Sequence, residues 1–413
     1  MNTLQFILPA ELFRQIIGSG VLDPGDLYSV SLASRWLRDE AQRILFMNPE
    51  VFYVHLNGEQ GRTAAAFFDS IISSPHRLAL MVYAYTQTTN WANGMESHRN
   101  VTSRRNREEL FTKMTDALKL MVNLKVFRSS DGGRAATHPR VSMVDCICQC
   151  RFKLTEFAWK HEGDEIRLLE EFLASQDEVT YFNLHTAFDI RGSSDTANTY
   201  VQRLLIAGQK VCPKLEVLCG PMSSSRVILP GKKNVKFIAW TWSFDETEAI
   251  EDTEVHVTHV GDSLRTLQYL EYAGGDFSGL PFTTIAPYLS NLIILTICNE
   301  VITEVSELSC ELPALCAIHF FHLGSWIVSN PDELSKDCTL VSSMFTLFKR
   351  LKFVDVDRQV VRSSPESVFY RDLISHRYIV SPETREVTST RVNRSEKWWG
   401  DRVRLVAELS ADI

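Results

Sequence analysis

Cysteine and histidine are the residue types in this chain whose spacing could do chemistry. Cys146-x-Cys148-x-Cys150 brings three thiols into five residues. A zinc site wants paired Cys-x2-4-Cys or Cys/His clusters separated by a loop. No second pair stands at suitable spacing, so buried apolar cysteines at a helix-to-strand junction are the expectation. His256 and His259 lie beside an acidic run from Asp245 to Glu254, which reads as a solvated loop rather than a metal cage. No G-x-S-x-G elbow, P-loop, H-E-x-x-H or G-x-G-x-x-G stands in a strand–turn–helix setting. Gly261-Asp262-Ser263 and Gly274-Gly275-Asp276 read as turns. The expectation is a non-catalytic protein that needs no cofactor or metal.

Bulk properties narrow the classes further. The 413 residues are too many for one compact core, so two or three units or an extended array are expected. A net charge of −8 argues against a general nucleic-acid binder, which needs a basic face for phosphates. Arg104, Arg105 and Arg107 form a local basic cluster that reads as a polar loop. Met1–Ala10 lacks the cationic stretch and small-residue cleavage site of a secretory signal. No apolar run approaches the ~20 residues that cross a bilayer. Nine cysteines, an odd number without paired spacing, fit a reducing compartment. An intracellular protein, cytoplasmic or nuclear and with no membrane partner, is expected.

The elements that would position any functional residue show a repeat. The spacing h-x-x-h-x-h, with h apolar, recurs nine times, beginning at Leu124, Leu154, Val179, Leu215, Val235, Leu267, Leu292, Leu315 and Leu351. Ser129 and Gly220 occupy the third position in two weaker copies. Leu264, Leu289, Leu312 and Phe348 extend four copies upstream into L-x-x-L-x-x-L-x-L. Central positions are 20 (Leu218 to Ile238) to 36 (Phe182 to Leu218) residues apart. Between the copies, Glu108–Val122, Ile166–Ala174 and Thr199–Val211 carry apolar residues three or four apart and are predicted helices. One strand and one helix per unit, stacked, bury what no unit buries alone.

The pattern resembles leucine-rich repeats, though the asparagine that ordinarily closes the motif is mostly absent. The resemblance implies an α/β fold class: a horseshoe-shaped leucine-rich-repeat solenoid with a parallel sheet on its concave face, expected over 108–357, where an ordinary α/β domain would be the alternative. In such strands the motif residues point inward and their neighbours face the concave side. A first column then holds Val126, Glu156, Tyr181, Val217, Phe237, Tyr269, Ile294, Ala317 and Phe353. A middle column holds Arg128, Ala158, Asn183, Cys219, Ala239, Glu271, Thr296, His319 and Asp355. A third adds Lys160, His185, Thr241, Phe321 and Asp357. Water-facing aromatics with charges beside them have the composition of a protein-binding hot spot. The expected target-binding residues are Arg128, Lys160, Tyr181, Asn183, His185, Phe237, Tyr269, Glu271, His319, Phe321, Phe353, Asp355 and Asp357. Basic residues at one end and acidic ones at the other suggest a partner of opposite polarity. The alternative is that Val51–Thr86 or the C-terminal segment folds over this face.

Residues 1–50 read as three helices. Leu8, Leu12, Ile16 and Ile17 share a face after Pro9, Asp26 is a candidate N-cap for the second helix, and Trp36, Leu37, Ala41, Ile44 and Leu45 mark the third. Leu8-Pro9, Leu12, Ile16, Asp26-Leu27, Val30, Leu32, Arg35-Trp36 and Leu45-Phe46 resemble the F-box pattern in order and spacing. Val51-Phe52 stands where that family has Leu-Trp. The resemblance implies docking on the adaptor subunit of an SCF-type cullin-RING ubiquitin ligase through Leu8, Pro9, Leu12, Ile16, Leu27, Leu32 and Trp36, with the repeats holding a target protein. The alternatives are a repeat scaffold with no ubiquitin connection, whose N-terminal helices are a cap, and an enzyme using the Cys/His positions. Residues 51–107 are expected to be a linker with a strand-like Leu78–Tyr85, a degenerate first repeat, and a polar Ser97–Arg107 loop. Residues 358–413 are expected to be a C-terminal cap with a short helix near Glu366–Ser375.

Overall fold

The structure is a computed structural model. It describes residues 10–49, 52–54, 59–89, 101–131, 142–161, 165–184, 195–240, 260–273, 282–298, 312–322, 341–363, 369–381, 384, 386–392 and 398–411. The chain divides into two compact units, Met1–Thr180 and Tyr181–Ile413.

The first unit opens with helices Ala10–Ile17, Pro24–Ala33 and Arg35–Met47. The second starts earlier than expected. Asp23, not Asp26, is its N-cap, and Pro24 takes the first helical position. Asp26 is the reciprocal partner of a capping box: its amide donates to Asp23 Oδ1 at 2.8 Å, and its carboxylate accepts from the Asp23 amide at 3.4 Å. Ser34 ends that helix in extended backbone and caps the next, accepting from the Leu37 amide at 3.1 Å. Ile17, Leu27 and Ala41 form a small core with Leu22, Val30, Leu37, Ile44 and Leu45 packed against it.

Four strands follow among the described residues of this unit: β1 Phe52–Val54, β2 Ala84–Thr89, β3 Val126–Asp131 and β4 Glu156–Lys160. Each pairs in parallel with the next, with Phe52 opposite Gln87, Ala84 opposite Val126 and Val126 opposite Glu156. Helices Glu59–Ser73 and Val101–Leu120 lie between them in sequence. Rings climb the ladder: Phe52 on Tyr85 (5.7 Å between centroids), Tyr85 on Phe127 (6.1 Å) and Phe127 on Phe157 (6.1 Å). Gln176, buried, satisfies backbone groups of the neighbouring segment. Its Oε1 accepts from the Leu154 amide at 2.9 Å, and its Nε2 donates to the Phe152 carbonyl at 3.2 Å.

Two expectations for 51–107 are corrected. Leu78–Met81 is a helical turn and only Ala84–Thr89 is strand, because Val82 turns extended between them. Residues 101–107 belong to the helix Val101–Leu120 rather than to a polar loop; the later turns of the same helix bury Leu110, Met114, Ala117 and Leu118.

The second unit holds β5 Tyr181–Leu184, β6 Val217–Gly220, β7 Phe237–Trp240, β8 Tyr269–Ala273, β9 Ile294–Cys298, β10 Ala317–His322 and β11 Phe353–Ser363, parallel in chain order. Every paired step in both units keeps the expected columns in register: Tyr181, Val217, Phe237, Tyr269, Ile294, Ala317 and Phe353 stand opposite one another in turn. The leading two apolar residues of all nine copies, Leu124 and Phe127 through Leu351 and Val354, are buried. A recurring fork starts the strands. One carbonyl accepts from two successive amides of the next strand, as Lys236 O does from Gln268 and Tyr269 at 2.8 and 3.0 Å.

After β11 the direction reverses. β12 Phe369–Val380 and β13 Val387–Val392 pair antiparallel, with Val354 opposite Tyr378 and Ser375 opposite Val392. The helix expected near Glu366–Ser375 is therefore strand from Phe369 onward, because the ladder with β11 overrides the local three-and-four spacing. Gly261-Asp262-Ser263 is not a turn but part of a short helix, 260–264; a Cβ on Gly261 would sit 2.4 Å from the Tyr288 ring, so the glycine serves close packing. Among the described residues the architecture is thus α/β with a mostly parallel open sheet.

Candidate recognition surfaces

The helical segment carries large apolar side chains that its core does not use. Leu12 and Ile16 sit one turn apart and are 41% and 53% exposed; Tyr28 and Leu32 repeat that spacing at 61% and 62%. Leu27 is corrected: it is buried with Ile17 and Ala41, so it holds the helices together and is not available for contact. Leu8, Pro9 and the Trp36 side chain lie outside the described residues. Tyr28 was missed, although its spacing of four from Leu32 put it on the same face. Glu40 is buried and bonds Arg43 at 2.6 Å and Arg14 at 3.4 Å, bracing the outer helices.

In the second unit the expected water-facing column is covered. Phe237, Tyr269, Ile294, Ala317 and Phe353 form one buried cluster with Val406 and Leu409, and Leu405 packs against it. These three belong to the helix Trp398–Ser410. The reading of Phe237, Tyr269 and Phe353 as exposed anchors is therefore corrected; apolar side chains on that face are covered by an amphipathic helix from the same chain. Tyr181 and Asn183 are half-buried. His185, Thr241 and the Phe321 side chain lie outside the described residues.

Polar residues of the middle and third columns join one network. Arg402, itself buried, donates to Thr296 Oγ1 at 2.7 Å and to the Tyr269 hydroxyl, and meets His319 Nδ1 at 3.1 Å. An arginine only donates, so Nδ1 accepts and Nε2 carries the proton toward Asp357 Oδ2 at 2.7 Å. The Tyr269 hydroxyl donates to Glu271 Oε2 at 3.3 Å. Asp355 accepts both arms of Arg377 at 2.8 Å each, and that guanidinium lies 4.0 Å above the Phe353 ring. The expected acidic end is thus corrected: His319, Asp355 and Asp357 are buried and engaged inside the unit. In the first unit Arg128 is exposed and paired with Glu156 at 2.6 Å, and Lys160 is exposed.

Burial dominates the electrostatics. It raises the Tyr269 hydroxyl well above its usual value and pushes Glu271 up to about 7, against the opposing pull of Arg402. A raised carboxyl binds more protons folded than unfolded, so its contribution to stability is lost as pH rises from about 4.5 through about 7. Glu271→Gln should therefore raise stability at pH 8 by roughly 1–3 kcal/mol and leave it little changed at pH 4. Urea titrations at the two pH values check this; equal effects at both would mean that Glu271 ionises normally.

Of the three clustered cysteines Cys146 is buried, whereas Cys148 and Cys150 are half-buried, not fully buried as expected. Cys146 Sγ donates to Thr115 Oγ1 at 3.0 Å, and burial pushes Cys146 and Cys148 up to about 11 and Cys150 to about 12. Thiols so protonated are poor ligands and nucleophiles at neutral pH. Ser129 Oγ lies 2.7 Å from His161 Nε2, but Ser129 is buried and also accepts from Gln87 Nε2 at 2.9 Å. Burial lowers His161 to about 4, so the pair is a neutral structural bond. His256, His259 and the Asp245–Glu254 run lie outside the described residues. No helix among the described residues is long and apolar enough to cross a membrane.

Fold and surfaces together define an α/β chain with a mostly parallel open sheet, exposed apolar side chains on its N-terminal helices and a covered strand face in its second unit. Compared with known proteins, no family model matches the chain and no curated protein is significantly similar to it.

Proposed function

We propose that this chain is the substrate-recognition subunit of an SCF-type cullin-RING ubiquitin ligase, acting inside the cell. The exposed pairs Leu12/Ile16 and Tyr28/Leu32 carry the reading. Large apolar side chains left in water on a small helical segment favour a partner that buries them, and Leu12, Ile16 and Leu32 stand at positions that resemble the F-box pattern. The strand-and-helix units, read as irregular leucine-rich repeats in a solenoid, would hold the target. The chain then contributes positioning, and the ligase chemistry belongs to its partners.

Co-purification of the intact chain with the adaptor subunit tests this. Leu12→Asp combined with Leu32→Asp places two charges in the contact and should weaken capture at least about 100-fold, as loss of hot-spot residues does. Both positions are exposed, so the melting profile should be unchanged. Full capture by the double variant would clear this face of the role. Failure of the unaltered chain to capture the adaptor would favour the second reading, a repeat scaffold with no ubiquitin connection.

A further inference from the structure

We propose that the face of β8–β10 is a receptor site for an arginine-bearing amphipathic helix of a partner protein, and that the chain's own helix Trp398–Ser410 fills it as an internal stand-in. This deepens the target-recognition part of the reading above and rests on it.

The site is built for a guanidinium. Tyr269, Thr296 and His319, from three successive strands, are buried and converge on Arg402. Asp357 fixes His319 in the tautomer that accepts, and Glu271 accepts from the Tyr269 hydroxyl, whose oxygen in turn accepts from Arg402. The Arg402 guanidinium also lies 5.2 Å from the centre of the Tyr269 ring. Acceptors fanned around a planar cation beside an aromatic ring suit arginine and serve lysine poorly, since a compact ammonium cannot reach them together.

The apolar part has the same logic. Phe237, Tyr269, Ile294, Ala317 and Phe353 take up Leu405, Val406 and Leu409 of the helix. Counted from Arg402, these stand at i+3, i+4 and i+7, the spacing by which an amphipathic helix enters a groove. Asp401, Val403, Arg404, Ala407 and Glu408 stay exposed. A competing helix therefore needs one arginine and three apolar residues at those offsets, and the Asp357 carboxylate behind His319 favours that cation. The ladder residues Leu270, Leu295 and Ile318 are buried outside the cluster that takes up the helix.

The test uses the full chain with Arg402→Ala and Val406→Asp, which weaken the internal helix. A fluorescein-labelled peptide of residues 398–410 is the probe. Anisotropy should show binding to the double variant and at least about tenfold weaker binding to the unaltered chain, whose site is filled. The same peptide with lysine or alanine in place of its first arginine should bind the variant at least about tenfold more weakly. A variant that keeps its cooperative melt yet ignores the peptide overturns the proposal. So does equal binding of the arginine and lysine peptides. Native-state hydrogen exchange on the unaltered chain decides the matter if the variant does not fold. The amides of 401–410 should open while β8–β10 stay protected, and opening of both only together would make the helix a permanent part of the core. Concentration-dependent dimers that exchange this helix would replace the partner by a second copy and overturn the assignment. Adaptor capture by the same variant should be unaltered. Its loss in every form alongside retained peptide binding would sink the ligase reading and spare this site.

Discussion

Gly220→Ala should cost roughly 3 kcal/mol or more of stability, measured as a fall in the urea midpoint. Gly220 ends β6 with φ +145°, a conformation that side-chain-bearing residues rarely adopt. A Cβ there would stand 2.2 Å from the Leu184 carbonyl oxygen and 3.2 Å from its carbon. Both obstacles are backbone of the neighbouring strand β5, so no rotamer change relieves them, and β6 would have to move away from its partner. Conformational strain of about 1–3 kcal/mol adds to a comparable overpacking cost. A loss under about 1 kcal/mol would mean that the strand end shifts freely. The weak third position of the motif at Leu215-x-x-Leu218-x-Gly220 thus has a cause: the strands approach too closely there for any side chain.

Phe157→Ala should destabilise the first unit by about 3–5 kcal/mol. Phe157 is fully buried in β4, with the Phe127 ring 6.1 Å away, Trp159 5.7 Å and Phe172 5.3 Å between centroids. Rings on three sides limit collapse into the space left behind, so most of the cavity should persist. Phe157→Leu keeps most of the volume and should cost less than about half as much. Thermal and urea unfolding of the pair would separate the cases, and equal losses would show that ring stacking rather than volume is what matters.

Much of the fold was legible along the chain. Local spacing decides which way a strand residue points, so the L-x-x-L steps located all nine strands from β3 to β11, and the columns read from them match the observed register. Helix periodicity placed the C-terminal ends of Val101–Leu120 and Asp195–Lys210 to within two residues, but put their starts seven and four residues too late. Errors gathered where neighbours compete with local preference. Asp23 and Asp26 both suit an N-cap, and only the geometry of Pro24 separates them. Phe369–Ser375 has residues suited to either element, and the ladder from β11 chooses strand.

The candidate sites divide in the same way. Helical spacing put Leu12 and Ile16 on one face, and resemblance to the F-box pattern singled out Leu12, Ile16 and Leu32, which stand exposed. Nothing along the chain could say that Leu27 turns inward or that Tyr269, His319 and Asp357 are covered. That cover depends on Arg402 reaching partners 133, 106 and 83 residues away. Side-chain direction is a property of a few consecutive residues, set by strand and helix period. Exposure is a property of whatever packs on the face from elsewhere, and only the folded chain brings that helix to it.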